Sequence, residues 1–377
     1  MRYALILCVL FAATTAQAQW EIQPAPTTAD LRGIDNVGKG IAWASGSDGT
    51  VLRTTDGGAH WQLCPTPPGA EKLDFRGIQA FDEKTAIVMS TGKGSLSRLY
   101  KTTDACQSWT LLLTNPYPEG SWAGIVADNL GAGAIVIGDQ VGDRFAIYAS
   151  SNSGLKNWFP FEHLGRAPKV TISSPHSKNE KLFAVSNSIL FGDSWNGLSF
   201  VTGGSDGSYL YDTIWHSWPA DIYTANFGSK PIPMAKSASA GAFSFTTSPG
   251  CNPNLRGACS YVVVGGDYLK PDEQAGTAAY AVLTHAGDNP GRLKAAQTPP
   301  HGFRSAVAYD RTTKTWITVG PNGTDISTDE GRNWRALHPN PALHEPADAD
   351  RDWNALSLPF VVGPHGRIGK LRPEALK

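Results

Sequence analysis

Gly46-Ser-Asp-Gly-Thr-Val-Leu-Arg-Thr-Thr-Asp-Gly-Gly-Ala-His-Trp61 reads as a turn, a short strand, a tight hairpin and an aromatic anchor. Most of it recurs at Gly320-Pro-Asn-Gly-Thr-Asp-Ile-Ser-Thr-Asp-Glu-Gly-Arg-Asn-Trp334, and both copies end in the spacing Ser/Thr-x-Asp-x-Gly-x-x-Trp. Each residue type in that spacing has a physical task. A short aspartate side chain accepts backbone N–H groups inside a tight turn, and glycine supplies a position with φ > 0. The tryptophan buries a large apolar surface between neighbouring units.

Working outward, the units repeat. Leu31-Arg-Gly-Ile34 and Phe75-Arg-Gly-Ile78 match closely, while Trp122-Ala-Gly-Ile125, Phe303-Arg-Ser-Ala306 and Trp353-Asn-Ala-Leu356 match more loosely. Two further starts, near Phe183 and near Gly241, follow from spacing. Seven starts lie roughly 45–60 residues apart, the spacing of β-propeller blades. A second strand in each unit is a nearly continuous apolar run ending in glycine, as in Ile41-Ala-Trp-Ala-Ser-Gly46 and Tyr261-Val-Val-Val-Gly265. Such runs suit strands covered on both faces. The predicted fold is therefore all-β: a seven-bladed propeller of four-stranded blades. Gln19-Trp-Glu-Ile-Gln-Pro24 mirrors His60-Trp-Gln-Leu-Cys-Pro65, so the N-terminal strand is expected to pair into the last blade and close the ring.

Composition agrees. In 377 residues there are 40 glycines, 26 prolines and 12 tryptophans, and only 17% of residues are charged. No sustained helical periodicity is visible. Residues 1–18 read as a signal peptide: Arg2, an apolar run from Ala4 to Thr15, and the cleavage pattern Ala16-Gln17-Ala18. The expected mature chain, 19–377, is a single propeller domain, periplasmic or secreted, without a transmembrane segment. A net charge of −1 gives no electrostatic case for nucleic-acid binding. In an oxidising compartment, Cys64, Cys106, Cys251 and Cys259 favour two disulfides. Cys251 with Cys259 is the easier pair, and Cys64 with Cys106 is the remaining one. No metal-binding spacing or cofactor fingerprint is present, so no metal or cofactor is expected.

The Ser/Thr-x-Asp-x-Gly-x-x-Trp spacing is the Asp-box, intact at Thr54/Asp56/Gly58/Trp61 and Ser327/Asp329/Gly331/Trp334. Thr102/Asp104/Trp109 carries Cys106 in the glycine position; Ser151/Trp158 keeps only its ends, and Gly287-Asp288 is a remnant. The chain resembles Asp-box (BNR-repeat) propellers: sialidases, some glucanases, and most closely the photosystem II stability/assembly factor family with its non-photosynthetic bacterial relatives. That resemblance implies a seven-bladed scaffold that helps assemble membrane complexes without catalysing a reaction. A protein or membrane-complex partner is implied, and a monomer is expected.

Candidate site residues follow from the repeat. Arg32, Arg76 and Arg304 stand at the starts of innermost strands, which ring one mouth of a propeller channel. Converging guanidiniums would make an anion site; the other reading is that each ties blades together through a local carboxylate. Asp139 and Asp267 follow the glycines that end second strands and should face the same mouth, with Tyr268 beside Asp267 and Trp122 at a strand start. Sialidases use three arginines, a tyrosine activated by a glutamate, and an aspartate, so a glycoside hydrolase or a carbohydrate-binding propeller is the alternative. No glutamate is evidently placed to activate Tyr268, and the sialidase Arg-Ile-Pro start is absent. An assignment of no catalytic residue is therefore preferred.

Overall fold

The computed structural model describes residues 19–128, 133–151, 157–160, 169–171, 174–193, 197–218, 222–249, 259–283, 292–339 and 345–376. Its strands form seven separate sheets arranged as blades, antiparallel but for one parallel pair. Blade 1 runs outward through Leu31–Gly38, Ile41–Gly46, Val51–Thr54 and Gln62–Leu63. Blades 2, 3 and 6 repeat this meander, starting at Phe75–Ala80, Trp122–Asp128 and Ala306–Asp310. The innermost strands contact one another in a ring: these four, then Leu190–Asp193 of blade 4, Ala240–Thr247 of blade 5 and Ala355–Ser357 of blade 7. The second strands are fully buried, as their apolar runs require: Ala86–Ser90 and Cys259–Asp267 show no exposed position.

Two blades carry more than four strands. Blade 4 gains Lys169–Thr171, parallel to its outer strand Ile222–Ile232. Blade 5 is extended on its channel side, where the short strand Gly203–Gly204 pairs with Ala240–Thr247 through Gly203 and Gly241, and Glu180–Lys181 pairs with Gly203–Gly204. This extension carries Leu182 to Val185 over the channel mouth.

Ring closure is as the sequence predicts. Trp20–Gln23 pairs antiparallel with Ile368–Leu371, in the register Trp20 to Leu371, as the outer strand of blade 7. Trp20 is completely buried, 6.0 Å from the Trp353 ring, and its indole N–H donates to Thr324 of blade 6 at 3.0 Å. Cys64 is bonded to Cys106. Cys259 is also disulfide-bonded; its expected partner Cys251 lies outside the described residues, as do the signal segment 1–18 and the Gly287-Asp288 remnant. Among the described residues, no helix is long and apolar enough to cross a membrane.

Candidate functional site

The two faces of the ring are distinguished by backbone contacts. The Asp-box turns meet the turns between first and second strands: Gly57 N–H donates to Gly40 O at 2.9 Å, and Ala105 N–H to Lys84 O at 3.0 Å. Turns between second and third strands meet the segments entering each blade, with Ser47 N–H on Asp30 O at 2.9 Å and Gly49 N–H on Leu73 O at 2.8 Å. Arg32 and Arg76 therefore sit on the face opposite the Asp-boxes.

On that face lies a cavity of about 550 Å³, within the range of ligand pockets. Arg32, Arg76, Trp122, Asp139 and Tyr268 all line it. Its other walls include Leu182, Phe183, Val185, Phe303 and Trp353. The tertiary fold thus gathers most of the sequence-derived candidates into one space, with charged groups contributed by blades 1 to 3 and aromatic groups from blades 3, 5, 6 and 7 and the extension.

Each arginine pairs with the aspartate two residues before it, and Asp74 also lies beside Arg32 of the preceding repeat. Arg76 Nε donates to Asp74 at 2.8 Å and Nη1 to Ala184 O at 2.9 Å. Arg32 Nη2 donates to Asp30 at 3.3 Å, and its Nε lies 3.7 Å from Asp74. Both side chains retain partial exposure, 27% and 30%, and both line the cavity. The pairing carboxylate sits two residues before each arginine, in Asp30-Leu-Arg32 and Asp74-Phe-Arg76. That repeated Asp-x-Arg was the available sequence signal for it. Asp139 is pushed up to about 6, chiefly by burial, against the Leu182 backbone N–H and the charges of Lys181 and Lys93, which favour ionisation.

Arg304 and Asp267 do not line this cavity. Arg304 is fully buried. Its Nε donates to Asp325 at 2.8 Å, Nη2 also contacts Asp325, and Nη1 donates to Phe303 O at 2.8 Å and Asn322 at 2.5 Å. Its surroundings include His301, whose Nδ1 is 2.8 Å from Asp325. Arg304 therefore stitches the strands of blade 6. Asp267 accepts the hydroxyls of Ser239 at 2.7 Å and Ser237 at 2.9 Å, and the backbone N–H of Leu269 at 3.1 Å. Burial works against its ionised form, but those donors outweigh burial and hold it below the ordinary carboxylate range. It shapes the loop that carries Tyr268.

Sequence reasoning missed two features. One is the Leu182–Val185 wall: the spacing puts a blade start near Phe183, but the innermost strand of blade 4 is Leu190–Asp193 and the residues around Phe183 line the cavity instead. The other is a belt of inner-strand side chains that crosses between blades below the cavity. Asn187 of the segment entering blade 4 donates to Ile78 O of blade 2 at 3.0 Å and Ile125 O of blade 3 at 2.7 Å. Gln79 donates to Asp35 at 2.8 Å and accepts from Ala127 N–H at 2.8 Å. Ser188 and Ser244 join blades 4 and 5 at 2.7 Å. Isolated Asn, Gln and Ser codons in inner strands carry no motif, so only the ring geometry reveals this belt. Among the described residues no group of His, Cys, Asp and Glu could hold a metal ion. A buried tyrosine–glutamate pair does exist: Tyr211 donates to Glu180 at 3.1 Å. Tyr211 is fully buried and its hydroxyl is shifted upward, first by burial and then by Glu180, so the pair is packing rather than an activated nucleophile.

Residues 12–168 match the family model described as photosynthesis system II assembly factor YCF48. The resemblance is to the YCF48 assembly-factor family. The structure of YCF48 bound to D1 peptide superposes with a TM-score of 0.55 at 20% identity, covering 93% of this chain and 96% of that one. YCF48 from Cyanidioschyzon merolae gives 0.56 at 17% identity, covering 95% and 100%. At these identities the YCF48 structures establish the shared propeller fold. No curated protein matches the chain.

Proposed function

We propose that this chain is an exported, non-catalytic propeller that binds a segment of a protein partner, a component of a membrane complex being the fitting class, at the cavity on the face opposite its Asp-boxes. The observation that carries this reading is the cavity itself: 550 Å³, mixed apolar and charged, and lined by Arg32, Arg76, Asp139, Trp122 and Tyr268. A relative of the same fold has been captured with a peptide bound. The N–H groups of Arg32 and Arg76 left over from Asp30 and Asp74 are the donors for a partner carboxylate or carbonyl. The signal-like N-terminus and the Cys64–Cys106 disulfide support an oxidising compartment.

The hydrolase alternative has less support. It needs a third arginine at the mouth, and Arg304 is buried on Asp325. It needs a second acid, and Asp267 is held by two serines. Affinity capture from membranes of the source cell, with wild type and the Arg32→Ala/Arg76→Ala double variant, tests the site. Capture by wild type and loss in the variant is expected; equal capture would remove the mouth as the binding site. Turnover of fluorogenic glycosides at any pH would overturn the non-catalytic assignment.

A further inference from the structure

Resting on that reading, we infer that Tyr268 and Leu269 form a preorganised apolar platform at the cavity rim, and that the partner is an extended peptide carrying an aliphatic or aromatic side chain near a carboxylate. Leu269 is 70% exposed and Tyr268 46%, and Leu269 is the most exposed of the large hydrophobic side chains among the described residues. Exposure of one leucine is ordinary. Its setting is not, because the loop bearing it is fixed on every side. Asp267 accepts Leu269 N–H at 3.1 Å, and Tyr268 N–H donates to Ser239 O at 3.3 Å. Lys270 N–H donates to Asp267 O at 2.9 Å, and Phe303 N–H to Pro271 O at 2.8 Å. Asn322 Nδ2 closes the far end on Pro271 O at 2.9 Å.

Beneath the platform lies an aromatic cluster. Phe183 and Phe243 stack at 4.2 Å, Phe303 meets Phe243 edge-on at 4.8 Å, and Tyr268 stands edge-on to Phe183 and Phe243 at 6.4 and 6.2 Å. Phe183, Phe303 and Tyr268 are also walls of the cavity that holds Arg32 and Arg76. Tyr268 and the guanidinium donors are therefore parts of one continuous surface, and Leu269 follows Tyr268 on the same hydrogen-bonded loop. A rigid apolar group loses little freedom when a partner covers it, so its buried area converts to affinity with little ordering cost. Tyrosine and arginine, the types of Tyr268, Arg32 and Arg76, are the residues enriched at interface hot spots. Asp267 is then a positioning residue: it acts by holding Leu269, not by touching the partner.

The test is to pan a random 12-residue peptide library on the full mature protein and measure affinities of enriched peptides for wild type, Leu269→Asp, Tyr268→Ser, Asp267→Ala and Arg76→Ala. Leu269 projects into solvent, so Leu269→Asp is expected to melt like wild type. Enriched peptides are expected to share an aliphatic or aromatic residue within a few positions of an acidic one. Their affinity should fall at least tenfold in Leu269→Asp and in Arg76→Ala, and Asp267→Ala should weaken them by lowering the association of the ordered loop while Asp267→Asn retains part of it. Peptides that bind Leu269→Asp and Tyr268→Ser as well as wild type, yet lose binding to Arg76→Ala, would overturn the platform and leave the mouth site standing. Failure to enrich any peptide over a propeller control would overturn both.

Discussion

Cys106 occupies the position at which Gly58 and Gly331 stand in the intact Asp-boxes. Its N–H donates to Thr102 Oγ1 at 3.0 Å, just as Gly58 N–H donates to Thr54 at 3.0 Å and Gly331 N–H to Ser327 at 3.1 Å. It also adopts φ of 64°, in the region that glycine favours. A Cβ added at Gly58 would lie 2.1 Å from Gln23 of the preceding blade, and Gln23 is the counterpart of Cys64 in the Trp20/Trp61 alignment. The side chain at this position thus points at the neighbouring blade, which is why a cysteine there can bond to Cys64. Over 42 residues such a crosslink contributes about 4 kcal/mol by restricting the unfolded chain. The Cys64→Ser/Cys106→Gly variant should melt well below oxidised wild type, and the gap should close when both proteins are reduced, which also removes the Cys259 disulfide from each. At Asp35, burial pushes the carboxyl up to about 6 despite the Ala80 N–H. Because the folded value exceeds the unfolded one, the folded state holds the proton more tightly, and Asp35 subtracts stability as pH rises from about 4 to above 6. Asp35→Asn keeps an acceptor for Gln79 and Ala80, so denaturant melts should show a gain of up to about 3 kcal/mol at pH 7.5 and none at pH 4. Arg304→Ala should destabilise by about 3–5 kcal/mol, since it leaves the buried Asp325 with only His301 as a side-chain partner; a variant that unfolds like wild type would count against the blade-tying role.

At the scale of the element, the Asp-box is a turn stapled by its aspartate. Asp329 accepts Ser327 Oγ at 2.9 Å, Asn333 N–H at 2.9 Å and Asn333 Nδ2 at 2.8 Å. Burial opposes its ionised form, and the Asn333 side chain, Asn333 backbone and Ser327 outweigh that to lower its pKa. Asp329→Ala should therefore cost about 1–2 kcal/mol in unfolding experiments, with no change in peptide affinity, because the turn lies on the far face from the cavity. A change in affinity would contradict the separation of the two faces. The same aspartate spacing was readable in the chain because every contact it makes is local. Arg32 and Arg76 were readable as mouth residues for a related reason: their place in the repeat fixes their place in the ring. Their pairing with Asp30 and Asp74 was equally local. The outcome at Arg304 was not readable, because Asp325 lies on the third strand and meets it only once blade 6 has folded.

For the whole molecule, the decisive contact is between the chain ends. Trp20 is buried among Leu371, Trp353 and Thr324, so the strand Trp20–Gln23 completes the last blade. Trp20→Ala removes that anchor and should lower stability by about 3–5 kcal/mol, read as a shift of the cooperative denaturation midpoint; a smaller effect would show that closure depends on backbone pairing alone. The sequence by itself determined the blade repeat, the Asp-box turns and the closing strand. These follow from periodicity and from contacts between near neighbours, which a linear chain records directly. Only the tertiary structure decided which candidates share the cavity. It buried Arg304 in an ion pair, turned Asp267 to holding a loop, placed the Leu182–Val185 segment as a wall and left Leu269 facing solvent. Those outcomes depend on which side chains from distant blades come within hydrogen-bonding or packing distance, and no spacing in the chain encodes that distance.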